Sequence, residues 1–221
     1  MQKITSFTVD HTKLDCGIYI SRVDGDITTY YVYSAFDLAK AQGASFNSSK
    51  KLVLKTDVDM GGHLFDPIYY VRNLDGENHS IYNVKVNYTQ SENNYGAGLI
   101  SAATSTTTHQ NLTIVGADIA GNHDASIPAL EYGNDEDGNA GNAYAGALVS
   151  RVASGTYTAS NVHVRNSKVR GVCKVGGLIG TVTATTATID NCSVEGSIVE
   201  NYDPKVVNYY KMETKSSGMV I

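Results

Sequence analysis

Tryptophan is absent from this chain, and proline and cysteine occur only three times each in 221 residues. The cysteines, Cys16, Cys173 and Cys192, show no C-x-x-C spacing and no neighbouring histidine pair. That argues against a zinc site and a disulfide framework alike and leaves free core thiols. Leu14-Asp15-Cys16 fails as a lipid-attachment site, because an aspartate precedes the cysteine and no apolar run precedes that. Lysine and arginine nowhere cluster and the formal net charge is -5, so the chain lacks the footprint that neutralises a phosphate backbone, and nucleic acid is not an expected partner. No apolar run of about 18 residues is present to span a membrane. No charged-then-apolar leader opens the chain, so any export signal is expected to have been removed. No cofactor is expected.

Hydrophobic residues make up 42% of the chain and charged residues 18%, which excludes disorder and suffices for a sizeable core. Glycine, threonine, asparagine and tyrosine are abundant, a balance that favours strands and turns and predicts an all-β protein.

The chain repeats itself. Gly98-Leu99-Ile100, Ala147-Leu148-Val149, Gly177-Leu178-Ile179 and Gly218-Met219-Val220 are copies of one block. A second block follows each full copy, opening at Asn111, Asn161 and Asn191, and Asn83-Val84-Lys85-Val86 reads as the same block of an earlier, divergent copy. Units of two or three short strands cannot bury an inner face alone, and stacking them does so; the expected architecture is a solenoid whose turns take roughly 20 to 30 residues, with an insertion between the second and third blocks. Stacking at about 4.8 Å explains the small residues: Gly98, Ala147 and Gly177 share a column where a bulky side chain would strike its copy in the next turn. Leu99, Leu148, Leu178 and Met219 form the apolar ladder beside it. Asn83, Asn111, Asn161 and Asn191 either hydrogen-bond to one another through their amides or serve as four independent turn residues.

Ahead of the repeat, residues 1–33 read as strands with a turn at Asp24-Gly25, forming a cap or the end of a preceding module. Residues 34–43 read as a short helix, with Ser34 as N-cap and Gly43 beyond its end, that covers the first turn of the solenoid. Residues 44–221 are the repeat proper; the first turn is expected to hold 51–60 and 71–86, and the last is expected to be interrupted at the C-terminus, leaving an edge able to associate end to end with another copy.

Leu54-Lys-Thr-Asp-Val-Asp-Met-Gly-Gly62, Phe65-Asp-Pro-Ile68, Leu74-Asp-Gly-Glu-Asn-His-Ser-Ile-Tyr-Asn-Val-Lys-Val86 and the recurring Gly-Leu-Ile-Gly unit resemble the GLUG-motif proteins. These are surface and secreted proteins of gut-dwelling Gram-negative bacteria and some Gram-positive immunoglobulin A peptidases. The resemblance covers about residues 34–221 and departs from the pattern at Ala147-Leu148-Val149-Ser150, which has no glycine at either end. It implies a right-handed parallel β-helix within a longer exported chain: an extracellular or cell-surface module of adhesin or spacer type, whose partner would be a host or bacterial surface glycan or protein.

Parallel β-helices also carry polysaccharide hydrolases and lyases. Asp57 and Asp59 flank Val58, which puts both carboxylates on one face of a strand, and Asp75 lies in a turn beyond; with a histidine nearby such a set could act as general acid and base. Against this, the same face is the one turned to water, Asp75-Gly76 is a common turn signature, and no basic groove is available for an acidic polymer. Tyr69, Tyr70, Tyr209 and Tyr210 could stack on sugar rings or line core and rims. Asp135, Asp137 and Asn139 alternate like the opening of a calcium loop, but Ala140 and Gly146 stand where it needs glycine and glutamate, so a solvated loop is the stronger reading.

Overall fold

The computed structural model describes residues 20–90, 96–123, 144–171 and 174–201. They form an almost wholly β structure of parallel sheets, in which the chain visits one sheet after another and then returns to the first. After Ile100 it runs through β9 (Ile100–Ala103), β10 (Thr107–Val115), β11 (Asp118–His123) and β12 (Tyr144–Gly146). The next pass follows the same order, β13 (Val149–Val152), β14 (Thr156–Arg165), β15 (Lys168–Gly171) and β16 (Lys174–Gly176). A third follows with β17 (Ile179–Val182), β18 (Thr186–Asp190), β19 (Ser193–Glu195) and β20 (Ile198–Asn201).

Each strand pairs in parallel with its counterpart in the pass before: β13 lies between β9 and β17, β14 between β10 and the β18–β19 pair, β15 between β11 and β20, and β12 beside β16. The earlier strands extend the same sheets. β2 (Ile27–Val32), β4 (Lys50–Leu54) with β5 (Val58–Asp59), and β7 (Asn73–Tyr82) continue the β10 sheet; β3 (Ser45–Phe46) and β6 (Ile68–Val71) continue the β9 sheet; β8 (Lys85–Gln90) continues the β11 sheet. β1 (Ile20–Asp24) turns at Gly25, φ 58°, and is antiparallel to β2, so this hairpin belongs to the same sheet as the repeat strands.

Parallel in-register stacking places like residues over one another, and the inward ones form columns. Ile68, Ile100, Val149 and Ile179 make one, Ile81, Ile114 and Val164 a second, Val86, Ile119 and Val169 a third, all at 1% exposure or less. β-Branched side chains suit these positions because they pack against identical neighbours on a pleated surface. Leu99, Leu148 and Leu178 are buried beside the first column, with Leu148 N donating to Leu178 O at 3.0 Å. A Cβ on Gly98 would fall 2.6 Å from the Gly146 carbonyl of the next pass, whereas one on Gly177 would strike Val194 Cγ1 at 2.7 Å across the interior. Close stacking therefore accounts for the first glycine and the opposing wall for the second.

Register corrects two readings of the early chain. Residues 51–60 and 71–86 occupy successive passes, since Leu52 lies opposite Leu74. The asparagine opposite Asn111 is Asn78, as Leu112 pairs with His79, and Asn83 lies opposite Gly116 at the following corner. The pairing shifts between Gln110 and Leu112, where the β7 chain carries extra residues, and this hid the correct alignment. Within 34–43 only a five-residue helix forms, α1 (Ala35–Ala39). Ser34 Oγ accepts from Asp37 N at 3.2 Å and the Asp37 carboxylate accepts from Tyr33 N, while Gly43 N turns away to Pro67 O. No described helix is long and apolar enough to cross a membrane.

Candidate functional site

Two corners run along the stack, each built from residues with left-handed backbone. At the first, Asn78, Asn111, Asn161 and Asn191 have φ between 48° and 66°. Their side chains form a ladder: Asn191 Nδ2 donates to Asn161 Oδ1 at 3.1 Å, Asn161 Nδ2 to Asn111 Oδ1 at 3.1 Å, and Asn111 Nδ2 to Asp75 Oδ1 at 3.1 Å. Asparagine does both jobs because its short amide tolerates left-handed dihedrals and bonds to its own copy. Asn83 stands outside this ladder and donates to Asp59 Oδ1 at 2.8 Å.

Asp75 is therefore no open turn residue. It is 9% exposed within β7, and it accepts from Gln110 Nε2 at 2.8 Å, Glu77 N at 3.1 Å, Asn111 Nδ2 and, at 3.2 Å, the Lys51 ammonium. Burial pushes its pKa up, but the bonds from the Glu77 amide, Gln110, Asn111 and Lys51 outweigh it and hold the carboxyl below its ordinary value. The left-handed turn residues are Glu77 and Asn78; Gly76 is required because a Cβ there would lie 2.2 Å from the Asn111 carbonyl oxygen. Asp57 and Asp59 are exposed on the outward face, as expected. Asp57 accepts from Ser80 N at 2.9 Å and faces His79 Nδ1 at 3.3 Å, while Asp59 accepts from Gly61 N and Asn83. The three carboxylates share no partner.

Tyr69 is exposed and Tyr70 half-buried, and as strand neighbours they face opposite ways, so they do not make one stacking surface. Tyr209, Tyr210, Met219 and the set Asp135, Asp137 and Asn139 lie outside the described residues.

The second corner carries the groove that sequence reasoning missed. Asn83 (φ 56°), Gly116 (φ 65°), Asn166 (φ 49°) and Gly196 (φ 58°) succeed one another, with Asn83 N donating to Val115 O, Gly116 N to Arg165 O and Asn166 N to Glu195 O. Gly61, Gly62, Asn83, Val84, Lys85, Gly116 and Asp118 line a groove of about 410 Å³ along its early part. The signal was available: an Asn/Gly column visible only once passes are aligned by register.

A further missed group is buried. His109 and Tyr157 are fully enclosed, with His109 Nε2 2.6 Å from Val71 O and Nδ1 3.1 Å from the Tyr157 hydroxyl. Burial pushes the imidazole pKa down to about 4, against a smaller opposing effect of the Val71 carbonyl. It pushes the tyrosine up.

No family model matches the chain. A stretch of 24 residues, 11% of the chain, is 75% identical to part of S-ribosylhomocysteine lyase from Borreliella burgdorferi and from Borreliella afzelii; the chain spans 15% of the length of those proteins. Among solved structures, a candidate immunoglobulin A1 protease from Bacteroides ovatus matches with a TM-score of 0.45 and 16% identity, over 80% of this chain and 62% of that one. Neither match carries the named activity to this chain.

Proposed function

We propose that the chain is a right-handed parallel β-helix of the GLUG type, capped at its first pass by α1, and that it serves as a non-catalytic extracellular or cell-surface module, adhesin or spacer, of a larger exported bacterial protein. The observation that carries the reading is where the acidic candidates are used: Asp75 is saturated by four donors inside the scaffold, and Asp57 and Asp59 are tied to backbone amides at its outer corners. A general acid and base would instead converge on one bond. Repeated return of the chain to the same sheets supports the solenoid, and parallel crossovers are right-handed in nearly all proteins. Burial of Leu38 and Ala41 supports the cap.

Glycan-array and host-protein binding by the purified chain tests the module, and surface labelling of the producing cell tests the location. Reproducible polysaccharide cleavage that disappears in Asp57→Asn, Asp59→Asn or Asp75→Asn would replace this reading with that of a carbohydrate-active hydrolase or lyase.

A further inference from the structure

We propose that the groove at the second corner is a binding site for a neutral, extended oligosaccharide, a proposal that rests on the adhesive reading above and narrows it to one surface. Its volume is about 410 Å³ and it lies open along the surface, a shape that suits an extended chain and not an enclosed small molecule. Its floor is left low at Gly62 (φ 69°), where nothing stands within 4 Å of a Cβ position, while the His63 ring lies beside Gly61 and the Asn83 amide beside Gly116, so a ligand can reach backbone at Gly62. Tyr82 and Val115, half-buried and paired in adjacent passes, immediately precede Asn83 and Gly116 of the lining and stand just outside it. Lys85 and Asp118, opposite each other in register, form a wall.

The charges select the ligand class. Asp118 is engaged by Arg170 Nη2, and Asp59, beside the groove, by Gly61 N and Asn83 Nδ2. Neither carboxylate is left to hold a bare cation, and among the described residues no three His, Cys, Asp or Glu side chains gather as metal ligands. Lys85 and Arg170 are matched in number by Asp118 and Asp59, so the charges around the groove have no net sign with which to choose an acidic sugar. What remains is a mixture of donors and acceptors repeating at the strand spacing of about 4.8 Å, suited to hydroxyl groups that both give and accept hydrogen bonds.

The test is amide chemical-shift mapping on the whole chain with cellohexaose, mannohexaose and laminarihexaose, with a galacturonate hexamer and calcium chloride as charged comparisons. At least one neutral hexaose should move the amides of Gly61, Gly62 and Gly116. Gly62→Asn, at a left-handed φ of 69° that asparagine tolerates and with nothing within 4 Å of its Cβ, fills the floor and should weaken that binding at least about tenfold, and Lys85→Ala should weaken it without lowering the unfolding midpoint. Hexaose binding that persists undiminished in both variants overturns the groove but leaves the adhesive module standing. Shifts caused only by calcium or by the charged hexamer overturn the neutral-sugar assignment, and so does binding of a host protein with no hexaose bound.

Discussion

Acid should weaken this protein between pH 6.5 and 4 through one residue. The Val71 carbonyl can only accept, so His109 Nε2 carries the proton and Nδ1 accepts from the Tyr157 hydroxyl, an arrangement that suits the neutral ring. Leu74 and Ala159 stand on either side of His109 in the inward column. With a folded pKa of about 4 and an unfolded value near 6.5, the depressed group contributes its full stability above pH 6.5. As pH falls through that window the unfolded chain takes up a proton that the folded one refuses. The loss approaches 1.4 kcal/mol per pH unit and totals about 3 kcal/mol, a large share of the 5–15 kcal/mol typical of a folded domain. Urea unfolding at constant ionic strength from pH 7.5 to 4.5, in a His79→Gln, His163→Gln background, measures it. His109→Leu should lower stability at pH 7.5, because Val71 O and the Tyr157 hydroxyl lose their partner, yet flatten the profile. A flat profile in the parent, or an unchanged slope in His109→Leu, would refute the reasoning.

Three other outcomes are expected. Asn161→Ala removes three asparagine–asparagine bonds, to Asn78, to Asn111 and from Asn191, and leaves alanine at φ 54°, which should cost about 2–4 kcal/mol in urea unfolding; Asn161→Gly keeps the backbone and should cost less, and no shift in either would dissolve the ladder as a stabilising element. Asp75→Asn puts an amide where four donors converge and should cost about 1–3 kcal/mol; because the carboxyl is held low, the stability it contributes is complete above the usual carboxylate range and is lost only as pH falls through its lower folded value, so the variant should differ from the parent least at the acid extreme. Val194 and Val199 are half-buried although Val164 and Val169 one pass earlier are fully buried; sedimentation should show concentration-dependent end-to-end association that Val199→Lys abolishes, and a monomer at all concentrations would refute it.

The repeat could be read from sequence because its blocks preserve both spacing and chemistry from Leu99 to Asn191. The early passes could not, because the extra residues around Gly76 and Glu77 displace Asn78 from the expected spacing and leave Asn83 as a plausible substitute. His109 was obscured by local polarity, since Thr107-Thr108-His109-Gln110 shows no apolar alternation. It stands two residues before Asn111, as Ala159 does before Asn161 and Ile189 before Asn191, and this shared offset marks an inward position. The groove has no sequence block of its own, as it arises from residues of three different passes.

Asp75 shows how a scaffold can make use of a buried carboxylate. An amide in a ladder accepts from one neighbour and donates to the other, so a run of asparagines has direction, and here the bonds from Asn191 through Asn161 and Asn111 lead to Asp75, with a side branch from Asn161 to Asn78 Oδ1. A carboxylate only accepts, so it ends the run, and its remaining lone pairs take Lys51, Gln110 and the Glu77 amide, which an asparagine in the same place could not all satisfy. The opposite end has no such terminator. Among the described residues nothing donates to Asn191 Oδ1, and the outer edges of β17, β18 and β20 are likewise unpaired. A further strand laid on that edge with an asparagine at the matching corner would complete both sets of bonds at once, which is why the ladder and the open edge point in the same direction along the stack.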